Sequence, residues 1–308
     1  MTRCAGCPVS GAVTILDGGM GRHLEAVGAP FRQPEWSALA LIEAPEFVRR
    51  AHDDFLAAGA DIITVNSSAV VPFHIGEERF EADGDRLTRL AARLAREAAD
   101  AVADRKVLVA GSLSPLFGSY RPDLFDAERA PRILSVLVEG QSPNVDLWLA
   151  ESQSSIPEVR AVRAALKDDA RPLWLSFTLK DEDPDPDCPC LRSGEPVADA
   201  ARAAVQLGAK SVLFNCSQPE VMAGAVDTAR EVFSQNRSDL RIGVYANAFP
   251  NIGDEVEANT GLLRIRRELD PPAYVDFAGD WVARGASIVG GCCGIGPAHI
   301  AELKRVLG

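Results

Sequence analysis

The chain has 308 residues, 47% of them hydrophobic and 25% charged, the profile of an ordinary soluble globular protein. Its 32 basic and 44 acidic residues leave a net charge of -12, which repels phosphate backbones and anionic lipid and so argues against nucleic acid or a membrane surface as partner. No apolar run approaches the ~20 residues of a membrane span, and Met1 to Pro8 lack the apolar core of a signal peptide, so a cytoplasmic location is expected.

Taken in order, short β-branched runs alternate with longer Ala/Leu/Arg-rich stretches of helical spacing. Strands are predicted at Val13–Leu16, Asp61–Val65, Lys106–Ala110, Val145–Leu149, Pro172–Phe177, Ser211–Phe214, Arg241–Tyr245 and Ala286–Val289. Helical stretches are predicted at Pro45–Ala58, Asp85–Ala103, Pro157–Lys167, Pro196–Leu207, Pro219–Phe233, Pro271–Ala283 and Pro297–Val306. Proline opens several of them, where its missing N–H costs nothing. Gly59, Gly208 and Gly285 each close a helix just before a strand, as a left-handed cap requires.

This alternation predicts a single-domain (β/α)₈ TIM barrel over residues 13–308, preceded by a tail at 1–12. An open doubly wound sheet is the alternative, but Asp17-Gly18-Gly19-Met20-Gly21 lacks the Gly-x-Gly-x-x-Gly spacing such a sheet favours after its first strand. In a barrel the residues following each strand gather at one face. These are Asp17, Asn66, Ser112, Ser114, Glu151, Asn215, Cys216, Asn247, Cys292 and Cys293.

Three of the seven cysteines therefore converge. Cys292-Cys293 in a Gly-rich turn, joined by Cys216 across the barrel mouth, offer three thiolates with a fourth tetrahedral position free, the pattern of a catalytic zinc site. Buried cysteines that merely pack are the competing reading, and their place at strand ends weighs against it. A phosphate cradle in the same turn is disfavoured because thiolates repel phosphate. Cys4-x₂-Cys7 and Cys188-Pro189-Cys190 also have ligand-like spacing, but the chain enters a barrel from the face opposite the strand ends, so a tail and an exposed loop are expected there. His299 is expected to face solvent, and His23, His52 and His74 to be structural.

Several motifs together resemble the homocysteine S-methyltransferase family. They are Leu16-Asp17-Gly18-Gly19-Met20-Gly21, Pro34-Glu35-Trp36-Ser37-Ala38, Ser193-Gly194-Glu195-Pro196, Phe214-Asn215-Cys216-Ser217 and Gly290-Gly291-Cys292-Cys293-Gly294. The resemblance runs from about Val13 to about Ile300. It implies a zinc-dependent barrel that methylates a thiol, with Cys216, Cys292 and Cys293 on the zinc ligands. Asp17, Gly18, Gly19 and Glu151 fall where family members hold the amino-acid part of homocysteine, and Trp36 falls on a pocket aromatic. Asn66, Ser114 and Asn215 complete the expected substrate-binding set, Asn215 by positioning Cys216. The implied partners are a small thiol acceptor and a cationic methyl donor, S-methylmethionine or S-adenosylmethionine.

The chain departs from the family where substrates are discriminated. Thr64-Val65-Asn66-Ser67-Ser68 stands for a Thr-x-Thr-Tyr-Gln-like stretch, and Ser114-Pro115-Leu116-Phe117-Gly118 for a Gly-Pro-Tyr-Gly-like turn. Ala246-Asn247 stands for Pro-Asn, and the loop from Phe249 to Leu263 is unusual. Another thiol or selenol acceptor, a betaine-type donor, and a non-catalytic zinc or thiol sensor are therefore the alternatives.

Overall fold

The structure is a computed structural model that describes residues 12–182, 184–185, 188–250 and 264–308. The expected tail, with Cys4 and Cys7, and most of the unusual loop before Leu263 lie outside the described residues.

Eight parallel strands follow the predicted order: β1 (Thr14–Ile15), β2 (Ile62–Thr64), β3 (Leu108–Ser112), β4 (Leu147–Gln153), β5 (Leu173–Phe177), β6 (Ser211–Asn215), β7 (Arg241–Tyr245) and β8 (Ile288–Val289). They pair in the sequence β1-β8-β7-β6-β5-β4-β3-β2. The seam between β1 and β2 closes through a parallel bridge from Leu16 to Ile62, with Asp61 N donating to Ile15 O at 2.7 Å and Asp17 N to Ile62 O at 3.0 Å. The fold is a single (β/α)₈ barrel.

The helices run outside it: α1 (Met20–Ala26), α2 (Ser37–Glu43) and α3 (Pro45–Ala57) after β1, α4 (Pro72–Ile75) and α5 (Glu77–Asp100) after β2, and α6 (Ala130–Gln141) after β3. One helix follows each remaining strand: α7 (Ile156–Leu166), α8 (Val197–Gln206), α9 (Met222–Gln235), α10 (Pro271–Arg284) and α11 (Pro297–Leu307). The prediction missed α1, α2, α4 and α6. The first three lie within the long connections after β1 and β2 and have seven, seven and four residues, too short for helical spacing to declare. In α6 the buried set Ile133, Leu134 and Leu137 has the right spacing, but Pro131 and Gly140 break the composition that marks a helix. Gly59, Gly208 and Gly285 do cap helices with φ of 98°, 71° and 122°.

Two apolar layers hold the barrel. Leu16, Ile62, Ala110, Leu147, Leu149, Trp174, Leu213, Tyr245 and Ile288 fill its interior, while the other faces of the strands pack on the helices around fully buried anchors such as Trp148, Phe55 and Trp281. The period of two decides what reaches the top of the interior. The alternation that turns Ala110, Leu149, Trp174 and Leu213 inward also turns Ser112, Glu151, Ser176 and Asn215 inward one step later. Apolar filling thus gives way to a polar rim within two residues, at the carboxyl ends of the strands.

Candidate active site

One cavity opens over that rim, and its lining carries Asp17, Gly18, Gly19, Trp36, Asn66, Ser114, Glu151, Cys216, Cys292 and Cys293. The lining thus includes every expected metal-ligating and substrate-binding residue except Asn215, which is fully buried just beneath. Ser112 and Asn247, the other strand-end residues singled out in sequence, are also buried outside the lining.

The sulfur atoms of Cys216, Cys292 and Cys293 lie within 4.8 Å of one another. Cys292 Sγ donates to Cys216 Sγ at 3.0 Å, and Tyr120 Oη lies 2.8 Å from Cys216 Sγ on another side. Hydrogen bonds from Cys292 and Cys293, reinforced by Tyr120 and opposed by burial, hold the Cys216 thiol well below the usual range. Those bonds and burial hold the Cys292 thiol well above it. Three soft donors around one point, open to a cavity on the remaining side, can hold a thiophilic metal and leave it a free position.

The positions of the thiols are over-determined. Among the described residues six non-glycine residues have positive φ, and four of them, Trp36, Tyr120, Ser152 and Cys216, line this one cavity. Such conformations cost about 1–3 kcal/mol each and persist only where surrounding structure imposes them. Asn215 supplies part of that imposition. Its Oδ1 accepts from Ser152 N at 3.0 Å and Ser176 Oγ at 2.7 Å, and its Nδ2 donates to Ser152 Oγ at 2.8 Å. The ends of β4, β5 and β6 are thereby tied together just before Cys216.

Gly18 and Gly19 have a second reason to be glycine. A Cβ on Gly18 would sit 2.3 Å from Ile295 O, and one on Gly19 would sit 2.5 Å from Cys292 O. Their backbone packs directly on the turn that carries Cys292 and Cys293, and Gly19 N donates to Ile295 O at 2.9 Å.

Two carboxyl groups line the same cavity. Asp17 accepts from Thr64 N at 2.7 Å and Thr64 Oγ1 at 3.1 Å, yet burial outweighs these bonds and pushes its carboxyl up to about 7. Burial likewise raises Glu151 to about 7, against a short hydrogen bond from Ser112 Oγ. Ser112 is itself fixed by Gln141, whose Oε1 accepts from Ser112 N at 2.8 Å and whose Nε2 donates to Ser112 O at 2.9 Å. Among the described residues no cation neutralises either carboxyl through a contact, which suits them to a cationic group of a ligand.

The remaining walls are mixed. Trp36 packs edge-on to Phe31 with ring centres 5.6 Å apart. Asn66 Nδ2 donates to Ser37 O at 3.3 Å, while its Oδ1 is buried without a hydrogen-bond partner among the described residues. Ser114 Oγ donates to Ser68 O at 2.8 Å. Sequence reasoning missed Tyr120, Tyr245 and Phe249, which also line the cavity. Tyr245 was legible as the last inward residue of β7; Tyr120 belongs to an irregular loop and carried no such signal.

The histidines take no part in the thiol cluster. Burial pushes His52 down to about 3 and His74 to about 4, and His74 Nδ1 donates to Pro34 O at 2.9 Å. His23 pairs with Asp54 at 2.8 Å. His299 corrects the expectation of a solvent-facing ring: Nε2 donates to Leu269 O at 2.9 Å, Nδ1 accepts from Gly296 N at 3.3 Å, and the ring meets Tyr274 edge-on. Cys188 is exposed, as expected of its loop.

The homocysteine S-methyltransferase family matches residues 14–307. The chain belongs to that family. It is 30% identical to a homocysteine S-methyltransferase of Escherichia coli, over 95% of this chain and 94% of that one, and 26% identical to a selenocysteine methyltransferase of Astragalus bisulcatus, over 97% and 93%. The crystal structure of the E. coli homocysteine methyltransferase MmuM in its metallated form superimposes with a TM-score of 0.77 at 28% identity, covering 96% of each chain. Membership places this chain among the methyltransferases, and the metallated relative agrees with a cysteine triad able to take a metal.

Proposed function

We propose that the chain is a zinc-dependent methyltransferase that moves a methyl group from a sulfonium donor, S-methylmethionine or S-adenosylmethionine, to the sulfur of homocysteine, giving methionine. The observation that carries this reading is the convergence of three cysteine sulfurs within 4.8 Å on a cavity walled by two carboxyl groups of raised pKa. Cys216, Cys292 and Cys293 would hold the zinc, since an all-thiolate set with an open position suits that metal. When bound there, zinc supplies a Lewis acid that keeps a coordinated thiol deprotonated at neutral pH.

The other tasks fall to the chain's own residues. Asp17 and Glu151, ionised by the approach of an ammonium group, hold the amino-acid end of the acceptor, with the Gly18–Gly19 backbone beneath it. The Trp36 face lies against the positive charge of the donor. Asn66 and Ser114 present polar atoms to the substrates, and Asn215 keeps Cys216 in place. The donor sulfonium leaves as a neutral thioether, so no leaving-group acid is needed, in keeping with a cavity in which the lining histidine, His74, is bonded to Pro34 O and kept neutral by burial. Holding the two sulfurs in line and excluding water is then the main contribution of the fold.

A second reading keeps the chemistry and changes the acceptor. The likeness to a selenocysteine methyltransferase, together with Ser67-Ser68 in place of a Tyr-Gln pair, favours testing selenol amino acids beside homocysteine. The deciding assay supplies zinc-loaded protein and homocysteine with S-methylmethionine, S-adenosylmethionine, betaine and methyltetrahydrofolate, each carrying a distinguishable methyl label. The expected product is methionine labelled from a sulfonium donor. Labelled product from selenocysteine alone would move the assignment to the second reading, and none from any acceptor would refute both.

A further inference from the structure

We infer that Tyr120 is a positioning residue for the metal triad, an O–H donor to Cys216 that a buried ion pair holds in place; the inference rests on Cys216 being a metal ligand. The observation is a ring of contacts that begins and ends at this cysteine. Tyr120 Oη lies 2.8 Å from Cys216 Sγ. The Arg192 guanidinium sits over the Tyr120 ring, 4.7 Å from its centre. Arg192 pairs with Asp181 at 2.8 Å, the two side chains only 8% and 2% exposed. Asp181 then accepts from Gln218 N at 3.2 Å, two residues beyond Cys216.

The ring joins three loops that are far apart in sequence, those after β3, β5 and β6. Each contact has a task that packing alone does not need. A cation on the face of a phenol draws electron density from the ring and makes its O–H a better donor. The Asp181 carboxylate keeps that cation from being an unpaired buried charge. Tyr120 holds its place at φ 64°, a backbone conformation unfavourable for a tyrosine, which implies that the position of this side chain is imposed. A phenylalanine would fill the same space; what the tyrosine adds is one hydrogen aimed at sulfur. A hydrogen bond to a ligating sulfur spreads its negative charge and fixes its orientation, and such outer contacts are worth about 10–100-fold in metal affinity.

The test compares wild type with Tyr120→Phe and Arg192→Gln. Circular dichroism and thermal unfolding of metal-free protein establish that each variant folds. Zinc affinity is then measured at one pH by competition with a chromophoric chelator, and the sulfur-to-cobalt charge-transfer band is recorded after loading with Co²⁺. The expected result is one metal per chain in all three proteins. Zinc binding should weaken about 10–100-fold in Tyr120→Phe, with a shifted cobalt band, and less, in the same direction, in Arg192→Gln. The second variant answers the question even if the first does not fold. Unchanged affinity and an unchanged cobalt band beside tight wild-type binding would overturn the inference alone. A wild type that takes up no zinc would overturn the reading of the triad beneath it as well.

Discussion

Asp17 and Glu151 are carboxyl groups placed where water is scarce, and the cost of ionising them there brings both to about 7. A bound ammonium lowers that cost, so acceptor affinity should rise with pH through about 7, as the two groups ionise to meet it. Glu151→Gln should raise KM for the acceptor by tens of fold, the weight of a buried hydrogen bond to a charged group, and flatten that pH dependence. Unchanged steady-state kinetics across pH 6–8 would remove Glu151 from the acceptor site. The same shifts set stability in the metal-free protein. A carboxyl whose folded pKa is raised contributes stability that is fully present below its unfolded value near 4 and is lost as pH rises through about 7. Buried Glu158, also raised to about 7, adds to the trend. Chemical denaturation of metal-free protein should therefore give lower stability at pH 8 than at pH 5, and less of a difference in Asp17→Asn. At this scale much was legible in the sequence: Asp17, Glu151 and the three cysteines are strand-end residues whose chemistry declares itself. Ser112 was legible as a strand-end residue but not as the partner of Glu151, and neither Thr64, which holds Asp17, nor Gln141, which holds Ser112, was legible, because such residues acquire their roles only from what the fold sets beside them.

The turn after β1 and the turn after β8 form one unit, packed so closely that a methyl group at Gly19 would meet Cys292 O at 2.5 Å. Gly19→Ala should cost about 1–3 kcal/mol as an overpacking change and displace the Cys292–Cys293 backbone, so that metal uptake falls much more than the melting temperature. Equal zinc content in Gly19→Ala would show that the turn yields without moving its thiols. The strand ends were easier to anticipate than the loops. Short runs such as Arg241–Tyr245 carry their own β-branched and alternating signal, and the observed strand has those same limits. Helix α6 was hidden by Pro131 and Gly140, although its C-terminal Gln141 supports Ser112 and, through it, Glu151. Tyr120 lay in a loop with no periodicity at all, and its meeting with Cys216, 96 residues away, is a product of tertiary structure alone.

Across the whole molecule the proposed ligands come from β6 and β8, on either side of β7, so metal binding should lock a sector of the barrel. A ligand that binds only the folded state stabilises it by about 4 kcal/mol at a thousand times its dissociation constant. Zinc should raise the melting temperature of wild type by several degrees and leave a protein lacking all three thiols unmoved. The barrel itself was legible because its alternation of strand and helix is global, and the closing seam at Leu16 and Ile62 follows from strand order. What decides the account most directly is zinc content and methyl transfer measured on the same preparations of wild type, Cys216→Ser, Cys292→Ser and Cys293→Ser. The account predicts that each substitution removes zinc and turnover together, while the far-ultraviolet circular dichroism stays that of the wild type. Turnover that persists in a folded, zinc-free variant would contradict it.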